Sequence, residues 1–143
     1  MSKVAIVYWS GTGNTQKMAD AIAAGAQKAG AEVSVFGPSE FDKSQLGNFS
    51  AIAFGCPSMG VEVLEETEFE PMFADLESSL MGKNIALFGS YGWGDGEWMR
   101  NWVERCNEDG ANLLTEEGLI INETPDEVGC QQCEELGAKL ANS

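Results

Sequence analysis

Five short apolar runs, each nearly continuous, alternate along this chain with segments whose apolar residues recur every three or four positions. The runs cover residues 4–9, 31–36, 51–56, 85–90 and a divided fifth, 111–114 with 119–121, broken by Thr115-Glu116-Glu117-Gly118. Continuous apolarity suits strands covered on both faces. Between the first two runs, Met18, Ile22 and Ala26 stand four apart and Gly30 stops the pattern. Phe69, Phe73, Leu76 and Leu80 form one face of a second helix. Pro71 is tolerated only in a first turn, so that helix begins close to Glu70, and Gly82 ends it. Trp98, Trp102 and Cys106 make the stripe of a third helix closed by Gly110, and a last helix covers 126–141. Residues 39–48 read as a connection with one helical turn. Strand and helix alternating through one domain, residues 1–143, predict an α/β doubly wound five-stranded parallel sheet in three layers. Ligands of such sheets lie beyond the carboxyl ends of the strands, near the switch point of strand order.

Three loops after predicted strands carry the candidate chemistry. The first is Ser10-Gly11-Thr12-Gly13-Asn14-Thr15, between the first strand and the first helix. Backbone N–H groups at a helix start, with the helix dipole behind them, hold an anion, and the hydroxyls and amide of Ser10, Thr12, Asn14 and Thr15 add donors. The loop lacks the lysine of the nucleotide-hydrolase loop, and Gln16 stands where the dinucleotide fingerprint needs a third glycine. Gly11-x-Gly13 alone equally describes a tight turn. The second loop is Pro57-Ser58-Met59-Gly60-Val61-Glu62 and the third Tyr91-Gly92-Trp93-Gly94-Asp95-Gly96. A tryptophan held between glycines suits stacking on a flat ligand, with Met59 as an adaptable surface for the opposite side.

Composition narrows the partners. Eight basic against 23 acidic residues give a formal net charge of −15, which opposes nucleic acid and anionic membranes. The chain opens without a charged-then-apolar leader and has no apolar run approaching ~20 residues, so a soluble cytoplasmic protein is expected. Cys56 and Cys106 read as buried small residues. Cys130-Gln131-Gln132-Cys133 is a C-x-x-C, but there is no histidine and no second such pair to complete a zinc site. Cys133 shares a helical face with Leu136 and Leu140, which favours a core position. No metal site is expected.

Tyr8-Trp9-Ser10-Gly11-Thr12-Gly13-Asn14-Thr15, Met59-Gly60-x-Glu62, Glu68-Phe69-Glu70-Pro71 and Ala86-Leu87-Phe88-Gly89-Ser90-Tyr91-Gly92-Trp93-Gly94 together resemble the flavodoxins, most closely the short-chain clostridial type. The resemblance spans nearly the whole chain. It implies the strand order 2-1-3-4-5, of which the flavodoxins are a standard example, with FMN at the switch point. It further implies that the FMN phosphate sits on Ser10 to Thr15, that Trp93 and Met59 cover the two flavin faces, and that Gly92, Trp93 and Gly94 bond the pyrimidine edge through their backbone. Glu62 would take flavin N3–H, and Ser58, Ser90 and Tyr91 would lie along the ribityl chain. Relatives place an asparagine near that chain; Asn122 stands one residue further from Pro125, so the contact is not carried over.

The function so implied is a low-potential one-electron carrier, not an enzyme, that shuttles between redox enzymes as a monomer. Glu62, Glu65, Glu66, Glu68 and Glu70 cluster after the third strand, and no basic residue occurs between Lys43 and Lys83. A carboxylate ~10 Å from the flavin in water-like dielectric opposes an added electron by about 0.4 kcal/mol, or roughly 20 mV. Glu62, Glu65, Glu66 and Asp95 are the expected contacts for basic patches on partners. The alternatives are an FMN-dependent quinone reductase, although no nicotinamide site is evident, and a cofactor-free signalling module. The latter needs acidic residues where this chain has Ser10 and Cys56.

In the family the peptide after the methionine flips on one-electron reduction, and the carbonyl equivalent to Gly60 then accepts a hydrogen bond from flavin N5 in the neutral semiquinone. A type II turn wants positive φ at its third position, which β-branched Val61 resists, whereas a type II′ turn puts it on Gly60. Val61 is therefore expected to bias the loop toward the flipped form. Val61→Gly should lower the potential of the first electron in a redox titration; an unchanged or raised midpoint contradicts this.

Overall fold

The computed structural model describes residues 2–11, 13–59 and 63–143. Strands β1 (Lys3–Tyr8), β2 (Glu32–Phe36), β3 (Ala51–Gly55) and β4 (Asn84–Tyr91) pair in parallel with two short strands, β5 (Asn112–Leu113) and β6 (Leu119–Asn122). The order is β2-β1-β3-β4-β5, with β6 also on β4. The divided fifth run is thus two strands sharing one position. β5 pairs Asn84 and Ile85, and β6 resumes at Phe88 after the polar excursion between them. Helices α1 (Asn14–Lys28), α2 (Phe69–Leu76), α3 (Glu97–Glu108) and α4 (Glu127–Ala141) supply the outer layers. Gly30, Gly82 and Gly110 adopt positive φ of 95°, 75° and 78°, the left-handed stop expected after each helical pattern. Residues 39–48 hold more than one turn: short 3-10 segments cover Pro38–Glu40 and Lys43–Asn48.

Alternate residues of the central strands serve two cores. Val4, Ile6, Ala51, Ala53, Ala86 and Phe88 face Met18, Ile22 and Ala26 of α1 with Cys133, Leu136 and Leu140 of α4. Ala5, Val7, Ile52, Phe54, Ile85 and Leu87 face Phe69, Phe73 and Leu76 of α2 with Trp98, Trp102 and Cys106 of α3. In the second core Phe73 lies edge-on to Phe54 and Trp102, at centroid distances of 5.3 and 5.6 Å. Arg105 caps that side: its guanidinium lies 5.0 Å from the Phe73 ring and bridges Glu70 and Glu77, both at 2.6 Å. These bonds hold the guanidinium charged and tie α2 to α3.

Cys133 is fully buried, and burial pushes its thiol up to about 12. All four cysteines are free thiols, and no cluster of metal-binding side chains occurs among the described residues. No helix among them is long and apolar enough to cross a membrane.

Helices α1 and α4 meet at glycines. A Cβ on Gly25 would lie 2.0 Å from the Glu134 carbonyl oxygen, and one on Gly137 2.0 Å from that of Ile22. Both obstacles are backbone, so the helices would have to separate. Gly137→Ala is expected to destabilise the protein by about 1–3 kcal/mol. Gly47→Ala, where nothing lies within 4 Å, should leave the denaturant midpoint nearly unchanged.

Candidate functional site

The carboxyl ends of β1, β3 and β4 open into a cleft of about 430 Å³ lined by Trp9, Gly11, Asn14, Pro57, Ser58, Met59, Ser90, Tyr91, Gly92, Glu123 and Thr124. One buried residue joins the segments around it. The Ser90 N–H donates to Thr15 Oγ1 at 3.3 Å, its carbonyl accepts from Ser58 N at 3.1 Å, and its hydroxyl donates to the Glu123 carbonyl at 2.8 Å. Ser90, expected beside the ribityl chain, lines the cleft, and its hydroxyl donates to Glu123, so it also ties the cleft together.

At the first loop, Gly13 caps α1 in the left-handed conformation, φ 97°, with no side-chain cap. The first N–H groups of the helix therefore lack the partner a serine or aspartate cap would supply. Ser10 Oγ accepts from Gly13 N at 3.1 Å and Thr15 Oγ1 from Ser90 N. Both hydroxyls act as acceptors inside the protein, which leaves their protons to donate outward. Gly11 suits the close approach here: a Cβ would lie 3.0 Å from the Trp9 ring, which would have to shift slightly. Trp9 is in turn fixed by its indole N–H, which donates to Glu68 at 2.9 Å.

At the second loop, Met59 and Val63 exchange two backbone hydrogen bonds of 2.9 Å in an antiparallel bridge. The expectations for Thr12, Gly60, Val61 and Glu62 fall outside the described residues. Next to Met59, Ser58 Oγ is buried without a hydrogen-bond partner among the described residues. A buried hydroxyl left unpaired is costly, and a polar ligand in the cleft would satisfy it. At the third loop, Trp93 is 58% exposed, with Gly94 after it at φ 84°. It is a surface ring, not a core plug.

The acidic cluster divides into different roles. Glu65, expected on a docking surface, is only 6% exposed and cannot meet a partner. Its carboxylate accepts from the N–H groups of Thr67, Glu68 and Phe69 at 2.9, 2.8 and 2.8 Å, and from the Thr67 hydroxyl. Burial raises its pKa, but these bonds outweigh burial and hold it at about 2. Glu65 is the cap that starts α2. Glu70 is neutralised by Arg105, a cation from a distant segment that the absence of basic residues nearby had concealed. Glu66 remains exposed. Asp95 is exposed too but is paired with Arg100 at 3.0 Å.

Trp9, Pro57, Glu123 and Thr124 were not anticipated as site residues. Trp9 and Pro57 adjoin the motifs and were open to inference from adjacency. Glu123 and Thr124 lie beside Asn122, and long-range bonds to Ser90, Tyr91 and Asn14 bring them to the cleft. Asn122 turns away, donating to the Tyr91 carbonyl at 3.2 Å. A larger cleft of about 660 Å³ lies between α4 and the excursion separating β5 from β6. It carries Glu116, Glu117 and Glu135 against one cation, Lys139, a net negative charge that disfavours an anionic ligand, so the smaller cleft is the better site for one.

Lowering the pH tests the Glu65 cap. A carboxyl depressed in the folded state contributes stability above its unfolded pKa, near 4.5, and loses it as pH falls through about 2. Glu65→Gln should cost about 2 kcal/mol at pH 7 and flatten the stability profile in that acid window, read by denaturant melts.

The profile of the flavodoxin family matches residues 6–137. A flavodoxin of Clostridium beijerinckii is 49% identical over 137 residues, covering 96% of this chain and 98% of its own. A flavodoxin of Megasphaera elsdenii is 44% identical over 140 residues, covering 98% and 99%. The solution structure of the two-electron reduced Megasphaera elsdenii protein superposes with a TM-score of 0.90, over 98% of this chain and 99% of that one.

Proposed function

The chain belongs to the flavodoxin family of FMN-binding electron carriers, and from that premise we propose that it is a low-potential one-electron carrier whose whole length forms one FMN-binding domain with the cofactor in the cleft around Ser90. It is an electron-transfer protein rather than an enzyme. The observation that carries the placement is the pairing, in one cleft, of an uncapped helix start with a buried Ser58 hydroxyl that has no partner. Both need polar groups from a ligand.

FMN, when bound, supplies the redox chemistry by accepting and releasing single electrons. The protein binds and orients it. The N–H groups of Asn14 and Thr15 with the side chains of Ser10 and Thr12 hold the phosphate, and Gly11 and Gly13 let the backbone approach it. Ser58 and the Tyr91 segment lie along the ribityl chain. Trp93 and Met59 cover the ring faces and exclude water. Backbone groups of Gly92, Trp93 and Gly94 and the Glu62 carboxylate hold the pyrimidine edge. The Gly60 carbonyl, its turn biased by Val61, would accept a hydrogen bond from a protonated flavin N5. No basic side chain occurs in the phosphate loop, and Glu65 stays ionised at the start of α2. Added negative charge on the ring is therefore disfavoured, which lowers the potential for the second electron.

The carrier works as a cytoplasmic monomer that meets basic patches on redox enzymes through the exposed carboxylates of Glu66 and Asp95. Stepwise reduction under an absorption spectrophotometer tests the reading. A protein carrying one FMN, reduced in two resolved one-electron stages, is expected. A colourless protein that takes up no FMN, or one that alone turns over NADPH with quinone, overturns it. Glu66→Gln should raise the second-electron potential by roughly 20 mV. Electron transfer to a partner reductase should slow as salt rises; salt-independent rates would remove the docking role.

A further inference from the structure

Glu123 and Thr124 enter the cleft from the segment between β6 and α4, and their geometry is specific. Glu123 is the one non-glycine residue with positive φ, 55°, among those described. A side chain in the left-handed region is held there by its surroundings. The Glu123 N–H donates to the Tyr91 carbonyl at 2.7 Å, and its own carbonyl accepts from the Ser90 hydroxyl at 2.8 Å. This pinned turn delivers Thr124 to the start of α1, where its hydroxyl donates to Asn14 Oδ1 at 2.9 Å.

The direction of that bond matters. The Asn14 amide has an acceptor end, Oδ1, and a donor end, Nδ2. It stands in the first turn of α1, beside the N–H groups proposed to hold the phosphate. A phosphate accepts hydrogen bonds and repels a carbonyl oxygen, so an Asn14 amide turned by half a rotation would oppose the ligand. In the observed arrangement the Thr124 hydroxyl donates to Oδ1, which anchors the amide with Nδ2 at its other end. Nδ2 has no acceptor among the described residues, so its two donors remain for an anion.

We propose that Thr124 is a positioning residue for the phosphate end of the cofactor, acting through the amide of Asn14. The inference rests on the assignment of FMN to this cleft and adds to it a residue from a fourth segment, outside the three motif loops. Loss of the hydroxyl should weaken the hold on the phosphate and leave the hold on the ring unchanged.

The test compares FMN with riboflavin, which lacks the phosphate, by following flavin release from the loaded protein through recovery of free-flavin fluorescence. Thr124→Val removes the donor at nearly constant volume, and Thr124→Ser restores it. The expected result is FMN release at least fivefold faster in Thr124→Val, riboflavin release within twofold of the unmodified protein, and recovery of the slow FMN rate in Thr124→Ser. Thr124→Ala should give the same split. Equal acceleration of both flavins would make Thr124 a general strap and overturn the proposal, as would no change in either. If the unmodified protein fails to retain FMN, or releases both flavins at one rate, the phosphate-loop assignment itself falls, and the role of Thr124 with it.

Discussion

A parallel sheet buried on both faces is the constraint from which the rest of this molecule follows. Each parallel pairing requires a crossover, and the crossovers bring helices over both faces. The carboxyl ends of β1, β3 and β4 therefore lie side by side, and α1 starts where β1 stops. Because β1 is central and α1 leaves it on one face while the crossover to β4 lies on the other, the loops part at that edge and leave a cleft. Ser90 then joins what the sheet has brought close, with one backbone donor, one backbone acceptor and one hydroxyl each tied to a different segment.

Electrostatics act on the same frame at two depths. At the surface, a net charge of −15 sets which partners can approach. In the interior, individual charges are assigned fixed tasks: Glu65 begins α2, and Arg105 binds Glu70 and Glu77 across α2 and α3. An acidic run that looks uniform in one dimension thus separates into a cap, an ion pair, a hydrogen bond to Trp9 and a free surface carboxylate. Neutralising the cap would disturb the fold, whereas neutralising Glu66 changes little beyond the field at the cleft.

Much of this was legible along the chain because it depends on local chemistry. Apolar runs marked every strand to within a residue or two, and Gly30, Gly82 and Gly110 marked the helix ends because few other residues tolerate positive φ. The fifth run, expected as one interrupted strand, forms two, since the same polar excursion that interrupts the pattern interrupts the pairing with β4. The loops at Ser10, Met59 and Trp93 were found by composition and spacing, and their convergence followed from topology.

The sequence by itself determined the elements, their order, the kind of ligand the first loop suits and the charge the protein presents. Only the tertiary structure decided which carboxylates are exposed, where Arg105 finds its partners, and that Thr124 reaches Asn14 from 110 residues away. The division has a physical cause. Periodicity, turn geometry and helix-terminal donors act over a few residues, so they are written where they act. Burial and hydrogen-bond pairing between distant side chains exist only after the layers have packed, and no local pattern encodes which groups packing will bring together.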